Sequence, residues 1–347
     1  MSNKEKMKAI VYEKYGPPDV LQLKEVAKPI PKEDEVMIRI YATTVTLYDC
    51  WARSSTAPPG FWLFSRIGSG LRKPKQPILG TELAGEIEAV GAEVTKLKVG
   101  DQVFGFSANL GAYAEYICLP EGSVGIKPAN MTYEEAAAVP QGALTALYFL
   151  RRGNVQSGGK VLIFGASGGV GGYAVQLSKQ HFGAEVTGVC STSKIEYVKS
   201  LGADQVIDYT KEDFTKNDQT YDVILDTVGK SSVLRSKGSL KKKGFYLFTT
   251  FGLPKLFPFL WLSMTSSKKV IIGLVEESSE NLIFLKELIE AGKIKSVIDR
   301  RYLLEQTAEA HVYVETGQKK GQVVITIEHN SKTKRLAGAD PARGVKI

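Results

Sequence analysis

The sequence predicts an α/β fold in which a doubly wound parallel sheet is combined with a separate antiparallel β region. Three observations predict it: the first third of the chain reads as short strands punctuated by glycine, the part from Lys160 onward alternates apolar strands with helices, and a glycine-rich turn follows the first of those strands. Alternating strands and helices are typical of a parallel sheet, whereas short strands with turns are typical of a barrel or sandwich.

Composition narrows the class of protein. The chain has 347 residues, 43% of them apolar, which is enough for two domains with their own cores. The net charge is +8, but the basic residues are scattered, so we expect no nucleic-acid partner. Cys50, Cys118 and Cys190 form no C-x-x-C pair, which argues against a disulfide framework. With no export signal and no spanning apolar run, we expect a cytoplasmic protein without membrane contact.

The N-terminal part is predicted to be a β region. In "EVMIRIYATTV", Val36, Ile38 and Ile40 alternate with the residues between them, which is typical of a strand with one buried face. The segments "VGDQVFGF" and "GAYAEYICL" continue this pattern. No segment with helical periodicity interrupts it, so we expect strands and turns up to about Met131.

Helices begin after Met131. Thr132 with Glu135 three residues later is a capping-box pattern, and it predicts helix on both sides of Pro140. An amphipathic helix that stops at Gly292 is predicted from the spacing of Leu282, Leu285, Leu288 and Ile289. The segment "QVVITIEH" predicts a last strand that returns to the first domain. The strands of the parallel sheet are predicted in "KVLIFGA", "AEVTGVCS", "DQVIDY", "YDVILDTVG", "GFYLFTTFG" and "KVIIGLV".

The turn "FGASGGVGGYA" indicates a dinucleotide site. Its glycines let the backbone turn sharply and approach a pyrophosphate, while the amides that open the next helix donate hydrogen bonds to it. The spacing G-x-x-G-x-x-G is one residue longer than the usual fingerprint, but the turn follows a buried strand and opens a helix. The residues expected to contact the cofactor here are Ala166, Ser167, Gly168, Gly169 and Val170.

The end of the next strand favours NADPH over NADH. An acidic residue there would hold the ribose hydroxyl of NADH, but "VCSTSK" has none. Ser191 and Lys194 instead offer a hydroxyl and a cation to a 2′-phosphate, and Tyr209 is expected to close the site. The alternative is that Lys194 is an ordinary surface residue at the start of a helix and has no role in cofactor binding.

Four motifs, taken in order, resemble the zinc-free quinone oxidoreductase branch of the medium-chain dehydrogenase/reductase superfamily. They are "GTELAGEIEAVG", "VGDQVFGF", "AAAVPQGALTALYFL" and "FGASGGVGGYAVQLSK", and the resemblance runs from about Met7 to His329. It implies a GroES-like β-barrel domain and a Rossmann-type dinucleotide-binding domain, with a homodimer expected by analogy. The predicted boundaries are 1–128 for the barrel, 129–274 for the Rossmann-type domain, 275–330 for the return to the barrel, and 331–347 for a flexible tail.

The metal positions of the zinc-dependent members carry other residues here. The resemblance places Thr46 of "TLYD" at a cysteine ligand and Thr81 of "GTE" at a histidine ligand. Two threonines cannot supply the donors of a tetrahedral zinc, so we expect no catalytic metal. Glu82 is then expected to be a turn or barrel residue paired with an arginine or lysine.

Without a Lewis acid, reduction of a quinone or an α,β-unsaturated carbonyl is favoured over oxidation of an alcohol. The expected partner is a small hydrophobic acceptor. Tyr48 occupies the place of the relay serine or threonine in zinc enzymes and is the catalytic candidate, with a packing role as the alternative. By the same resemblance, Thr145 approaches the nicotinamide and Phe251 belongs to the loop over the cofactor.

Two segments are candidates for shaping the acceptor site. Residues 54–77 form a Pro- and Gly-rich stretch with Phe61, Trp62 and Phe64, and residues 253–264 place Phe257 and Phe259 beyond the cofactor loop. Packing within the chain or against a second subunit is the alternative for both. Two other functions stay open: an NADPH-binding protein with little turnover, as in crystallin-type relatives, and an enoyl-thioester reductase.

Overall fold

The chain forms two large sheets, each with its own helices and core. The structure is a computed structural model and describes residues 5–56, 60, 62–250, 252, 254, 256–273, 275 and 278–329. Within them the strands are β1 (Lys6–Val11), β2 (Gln22–Ala27), β3 (Glu35–Thr44), β4 (Glu82–Val90), β5 (Gln102–Phe106), β6 (Tyr116–Pro120), β7 (Val124–Ile126), β8 (Lys160–Phe164), β9 (Glu185–Cys190), β10 (Gln205–Asp208), β11 (Tyr221–Asp226), β12 (Leu240–Phe248), β13 (Lys269–Ile272), β14 (Ile298–Leu303) and β15 (Gln322–Thr326). The helices are α1 (Leu47–Ser54), α2 (Trp62–Ser69), α3 (Tyr133–Ala137), α4 (Pro140–Arg152), α5 (Gly169–Gln180), α6 (Ile195–Ser200), α7 (Val233–Ser236), α8 (Leu256–Thr265), α9 (Ser279–Glu290) and α10 (Thr307–Glu315).

The parallel sheet has the doubly wound order that the sequence predicts. Its six strands lie in the order β10-β9-β8-β11-β12-β13, and every neighbouring pair is parallel. Val161, Leu162 and Ile163 of β8 are fully buried, because this strand lies inside the sheet with both faces covered. The direction of winding reverses between β8 and β11, and in such sheets ligands bind beyond the carboxyl ends of the strands at that point.

The second sheet is mostly antiparallel and is completed by the end of the chain. Its order is β14-β15-β3-β4-β5-β7, with β6 also paired to β3. Val36, Ile38 and Ile40 are fully buried, as their alternation predicts. The strand β15 pairs with β3 through contacts such as Val324 opposite Thr44, so the predicted return of the last strand to the first domain is confirmed.

The prediction of an uninterrupted β region before Met131 is wrong. Two eight-residue helices, α1 and α2, lie within it. Each is about two turns long, which is too short for a clear helical periodicity. The signal that could have revealed α1 is Thr46 with Asp49, because the two side chains form a capping box at its N-terminus.

The helix starts predicted from capping signals are confirmed. Thr132 caps α3 and Glu135 returns the bond, while Pro140 is the first residue of α4, where its missing N–H has no cost. The apolar segment expected to form a wall is helix α8, in which Phe259 is buried and Phe257 is 73% exposed. In the described part of the chain, no helix is long and apolar enough to cross a membrane.

Candidate active site

The turn after β8 requires glycine at two positions. Gly165 has a φ of +85°, and a Cβ there would lie 2.3 Å from Cγ2 of Val228. A Cβ on Gly171 would lie 2.1 Å from the carbonyl oxygen of Gly165, because α5 packs directly against the turn. Gly168 is the N-cap of α5 and has no side chain to cap it, and Val170 follows in the first helical turn. The first amides of α5 are therefore suited to bind the pyrophosphate of a dinucleotide.

The loop before β15 covers this turn. Ala166 and Ser167 are buried, and the Ser167 carbonyl accepts a hydrogen bond from the Gly321 amide at 3.2 Å. A Cβ on Gly169 would lie 2.8 Å from Nε2 of Gln322, so this buried side chain lies against the start of α5. The five turn residues predicted to contact the cofactor thus lie where two parts of the chain meet.

Thr145 lies on α4, one turn after the residue that joins this helix to the barrel. The amide of Gln141 donates to Oε1 of Glu82 at 2.7 Å. Residues four apart share a helix face, so Thr145 lies on the Gln141 side of α4. It is half-buried, whereas its neighbours Leu144 and Ala146 are buried. This position is compatible with the predicted contact to a nicotinamide.

The residues predicted to bind a 2′-phosphate follow adjacent parallel strands. Ser191 comes after β9 and Tyr209 after β10, and the last residues of these strands are paired. Tyr209 is 57% exposed. Lys194 is half-buried, and its ammonium donates to the carbonyl oxygens of Gly317 at 3.2 Å and Lys319 at 3.1 Å. Lys194 therefore connects the segment after β9 to the loop before β15. The sequence around Lys194 does not predict this connection.

A cavity of about 660 Å³ lies beside Tyr209. The rings of Tyr209 and Phe164 have centroids 6.5 Å apart and form part of its wall. An aromatic wall with basic residues nearby suits a nucleotide, which presents both a ring and phosphates. The cations that line the cavity are Lys211, Lys216, Lys230 and Arg235, and the acids are Glu212 and Asp213.

Asp208 is an acid beside the predicted phosphate site that the pattern after β9 does not include. It is the last residue of β10, and its carboxylate accepts hydrogen bonds from the Thr192 hydroxyl at 2.5 Å, the Thr210 hydroxyl at 2.7 Å and the Thr210 amide at 3.0 Å. These donors, chiefly Thr192, lower the pKa of Asp208 to about 2. Lys211 lies 3.7 Å away and offsets the negative charge.

Tyr48 lies in the first turn of α1, within the region that the sequence predicts to consist of strands and turns. It is 47% exposed, so part of its ring is accessible to solvent. Burial of part of the ring and the nearby Asp49 raise its pKa, so the phenol keeps its proton at neutral pH. Thr46 caps the same helix, and its hydroxyl donates to Oδ2 of Asp49 at 2.6 Å. The residue at the cysteine-ligand place thus performs a structural task.

Asp49, the third residue of α1, is fully buried. It accepts hydrogen bonds from the Thr46 amide at 2.8 Å and from the Gly80 amide at 3.2 Å. The hydroxyl of Tyr113 also contacts it, and His311 lies 3.2 Å from that hydroxyl. Burial raises the pKa of Asp49 to about 6, and the hydrogen bonds only partly oppose this effect.

Glu82 is fully buried, and its hydrogen-bond partners are not the arginine or lysine that the sequence predicts. Its carboxylate accepts hydrogen bonds from the Thr44 hydroxyl and from the Gln141 amide, and within the described residues it makes no ion pair with an arginine or lysine. Burial raises its pKa to about 7. Lys319 interacts with it electrostatically from a longer distance. The hydroxyl of the preceding Thr81 is buried and has no partner in the described part of the chain.

Phe251 and Phe61 lie outside the described residues, as does the predicted tail 331–347. Trp62 begins α2 and is 55% exposed.

Comparison with known proteins identifies the family. Residues 32–129 match the family model described as alcohol dehydrogenase GroES-like domain, and residues 201–325 match that described as zinc-binding dehydrogenase. The chain is 35% identical over 332 residues to a 2-methylene-furan-3-one reductase of Solanum lycopersicum, covering 92% of this chain and 79% of the relative. The chain belongs to the medium-chain dehydrogenase/reductase superfamily. It is therefore an oxidoreductase whose fold binds a nicotinamide cofactor.

Two further members of this superfamily extend the comparison. An NADPH-dependent alkenal/one oxidoreductase of Arabidopsis thaliana, described as chloroplastic, is 32% identical over 92% of this chain and 79% of its own length. The structure of a quinone oxidoreductase from Coxiella burnetii superposes with a TM-score of 0.84 at 28% identity, over 93% of this chain and all of that one. The predicted pairing of a GroES-like barrel with a Rossmann-type sheet is confirmed. The cytoplasmic location stays a prediction.

Across the described residues, no group of three or more His, Cys, Asp and Glu side chains is arranged to hold a metal ion. His311 and Cys50 are buried in the barrel, whereas Cys190 lies at the end of β9 in the parallel sheet.

Proposed function

We propose that this protein reduces a quinone or an α,β-unsaturated carbonyl compound with NADPH and without a catalytic metal. The observation that carries the metal part is the role of Thr46. Its hydroxyl donates to Asp49 and accepts from the Asp49 amide at the start of α1. A metal at this place would have to displace a helix cap, and a threonine hydroxyl is not among the usual zinc ligands.

The acceptor class is supported by the relatives and by the site. The relatives named as a furanone reductase and an alkenal/one oxidoreductase align over 92% of the chain. Conjugated acceptors accept a hydride without the strong Lewis acid that alcohol oxidation needs. When bound, the nicotinamide supplies that hydride. The barrel supplies Tyr48 as a hydrogen-bond donor to the acceptor oxygen, because its phenol is exposed and protonated.

The preference for NADPH is supported by the residues around β9 and β10. Ser191, Lys194 and Tyr209 offer two hydroxyls and a cation. Asp208, the acid that ends β10, already accepts three hydrogen bonds from hydroxyl and amide donors. To bind a 2′-phosphate, Lys194 exchanges or shares its bonds to the carbonyls of the loop before β15. The first turn of α5 binds the pyrophosphate, and Thr145 orients the nicotinamide.

The direct test is NADPH consumption with a panel of quinones, enones and an enoyl thioester. We expect turnover of the free conjugated acceptors, with full activity after chelation and with less than stoichiometric zinc in the purified protein. Preference for the thioester would instead support an enoyl-thioester reductase. NADPH binding without reduction of any acceptor would support the binding-protein alternative.

Stoichiometric zinc, with activity that is lost on chelation and restored by the ion, would overturn the metal-free part of the proposal.

A further inference from the structure

The loop between α10 and β15 is anchored by its backbone around Lys319. The Lys319 carbonyl accepts a hydrogen bond from the ammonium of Lys194 at 3.1 Å, the Lys320 amide donates to Asp299 at 3.0 Å, and the Gly321 amide donates to Ser167 at 3.2 Å. These contacts attach the loop to both sides of the molecule. Its backbone is therefore held, and the Lys319 side chain extends from a rigid base.

The Lys319 ammonium lies among buried acids without being paired to them. The side chain is half-buried, and it interacts electrostatically with Glu82, Asp49, Cys50 and Asp299. Among the described residues, it forms no hydrogen bond and no ion pair. Burial lowers the pKa of Lys319, because a partly desolvated cation without a direct partner is costly, whereas Glu82 and the other neighbouring acids oppose this effect and favour the charged form. Groups in such an environment are concentrated at functional sites.

Lys127 is a buried lysine with a structural role and serves as a comparison for Lys319. Lys127 is buried, and its ammonium donates to the carbonyl oxygens of Pro128 at 3.0 Å and Met131 at 2.6 Å. Lys319 has no such partners in the described residues, although its backbone is anchored. Glu82 directs its oxygens to Thr44 and Gln141, and Asp49 directs its oxygens to α1 and Gly80. The ammonium therefore stays available to a ligand.

We propose that Lys319 is a catalytic residue that contacts the carbonyl oxygen of the acceptor and stabilises the negative charge that forms there. This inference rests on the proposed reduction of a conjugated acceptor. The cation does electrostatically what a metal does in metal-dependent enzymes, because a fixed positive charge in a water-poor site lowers the energy of a developing oxyanion. Tyr48 donates to the same oxygen from α1.

The balance of the step is simple for an enone. A carbon–hydrogen bond forms at the β-carbon with the hydride given up by the reduced nicotinamide, which is thereby oxidised. The carbon–carbon π pair moves to form the enolate, whose oxygen carries the charge opposite the ammonium. A solvent proton then completes the saturated ketone, and Lys319 keeps its own proton overall.

The test compares Lys319→Met with Lys320→Met, an exposed lysine at the next position. With an enone and NADPH, we expect kcat of Lys319→Met to fall about 100-fold, as for the loss of other oxyanion-stabilising groups. The dissociation constant of NADPH should stay within threefold, and Lys320→Met should resemble the unmodified protein. Added methylamine should restore part of the activity of Lys319→Ala, which a merely structural role would not allow.

A binding experiment tests the same contact without turnover. 4-Nitrophenol presents an oxygen that becomes yellow on losing its proton, so its absorbance in the complex with NADP⁺ reports on a neighbouring cation. We expect the bound phenol to ionise at lower pH in the unmodified protein than in Lys319→Met.

Three outcomes would overturn the inference: unchanged kcat and phenol titration in Lys319→Met, equal losses in Lys320→Met, or loss of NADPH affinity as the main effect. If the unmodified protein reduces no acceptor, the proposed function fails separately, and the phenol titration still decides whether Lys319 faces the ligand.

Discussion

Oε1 of Glu82 accepts a hydrogen bond from the amide of Gln141 at 2.7 Å, and this contact joins β4 of the barrel to the first turn of α4. The other carboxylate oxygen accepts from Thr44, so both oxygens are used in the fully buried side chain. The carboxylate therefore couples the part of the chain that carries Tyr48 to the helix that carries Thr145. A buried acid in such a position affects both stability and its pH dependence.

Glu82→Gln should change how stability depends on pH. Burial raises the pKa of Glu82 from 4.5 to about 7 in the folded protein. A folded pKa above the unfolded one means that the contribution is fully present below about pH 4.5 and is lost as pH rises through about 7. The unfolding free energy of the unmodified protein should therefore fall as pH rises from about 4.5 to about 7. In Glu82→Gln this fall should be smaller, as measured by urea denaturation at several pH values.

Glu93→Gln, at an exposed position whose side chain forms no ion pair among the described residues, is the control for the substitution itself. Below about pH 4.5 Glu82 is itself protonated, and a neutral carboxyl group and an amide each offer one strong acceptor and a donor, so Glu82→Gln should change the unfolding free energy there by less than about 1 kcal/mol. An unchanged pH profile in Glu82→Gln would contradict the burial argument.

Gly171→Ala should destabilise the protein and impair dinucleotide binding. A Cβ there would lie 2.1 Å from the Gly165 carbonyl oxygen, and backbone must move to accommodate it. We expect a loss of at least about 2 kcal/mol in unfolding free energy, in the range of other overpacking substitutions. Gly122→Ala is the matched control, because its Cβ would meet no atom within 4 Å. Equal stability of the two variants would refute the close packing of α5 on the turn.

The sequence predicts the parallel sheet well because its signals are local. Apolar runs, the capping box at Thr132 and the glycines of the turn each depend on neighbouring residues. The position of Lys319 is not predictable in this way, since it approaches Glu82 only because β15 returns to β3. The same holds for the bonds of Lys194 to Gly317 and Lys319, which join segments far apart in the chain.

Helix α1 shows a different limit. Its capping pair, Thr46 and Asp49, is visible in "TLYD", but the same four residues align with a metal-ligand motif of the superfamily, in which Thr46 takes the place of the cysteine. Resemblance to that motif predicts a ligand position at Thr46, whereas the spacing of Thr46 and Asp49 predicts the start of a helix. A two-turn helix such as α1 is therefore difficult to predict where its capping residues coincide with a functional motif.

Lys194→Glu should weaken NADPH binding far more than NADH binding. Charge-assisted hydrogen bonds contribute about 1.5–3 kcal/mol, so removing the cation should cost NADPH roughly 10- to 100-fold in dissociation constant, and the added carboxylate more. NADH should lose less than threefold, through the loosened contact with the loop before β15. Fluorescence titration of both cofactors measures this, with Lys199→Glu, an exposed lysine on α6, as control. Equal losses for the two cofactors would remove the argument for a 2′-phosphate at Lys194.

Tyr48→Phe should lower kcat while leaving cofactor affinity unchanged. The phenol is 47% exposed and keeps its proton, so it can donate a hydrogen bond to the acceptor oxygen. Loss of one such donor should reduce kcat about 10- to 100-fold. Tyr209→Phe is the informative comparison, because we propose that its hydroxyl binds the cofactor: this variant should have a higher KM for NADPH with little change in kcat. If Tyr48→Phe retains full kcat, Tyr48 is a packing residue.

Thr46→Ala tests whether the residue at the cysteine-ligand place is primarily a helix cap. The Thr46 hydroxyl both donates to Asp49 and accepts from its amide, and loss of such a cap costs about 1 kcal/mol. Its loss also leaves the buried Asp49 carboxylate with one donor fewer, which should add to the cost. Thr46→Ser keeps the hydroxyl and should preserve most of the stability in thermal unfolding. If the alanine variant is as stable as the serine variant, the hydroxyl is not needed by α1, and the structural reason for a threonine at this place is lost.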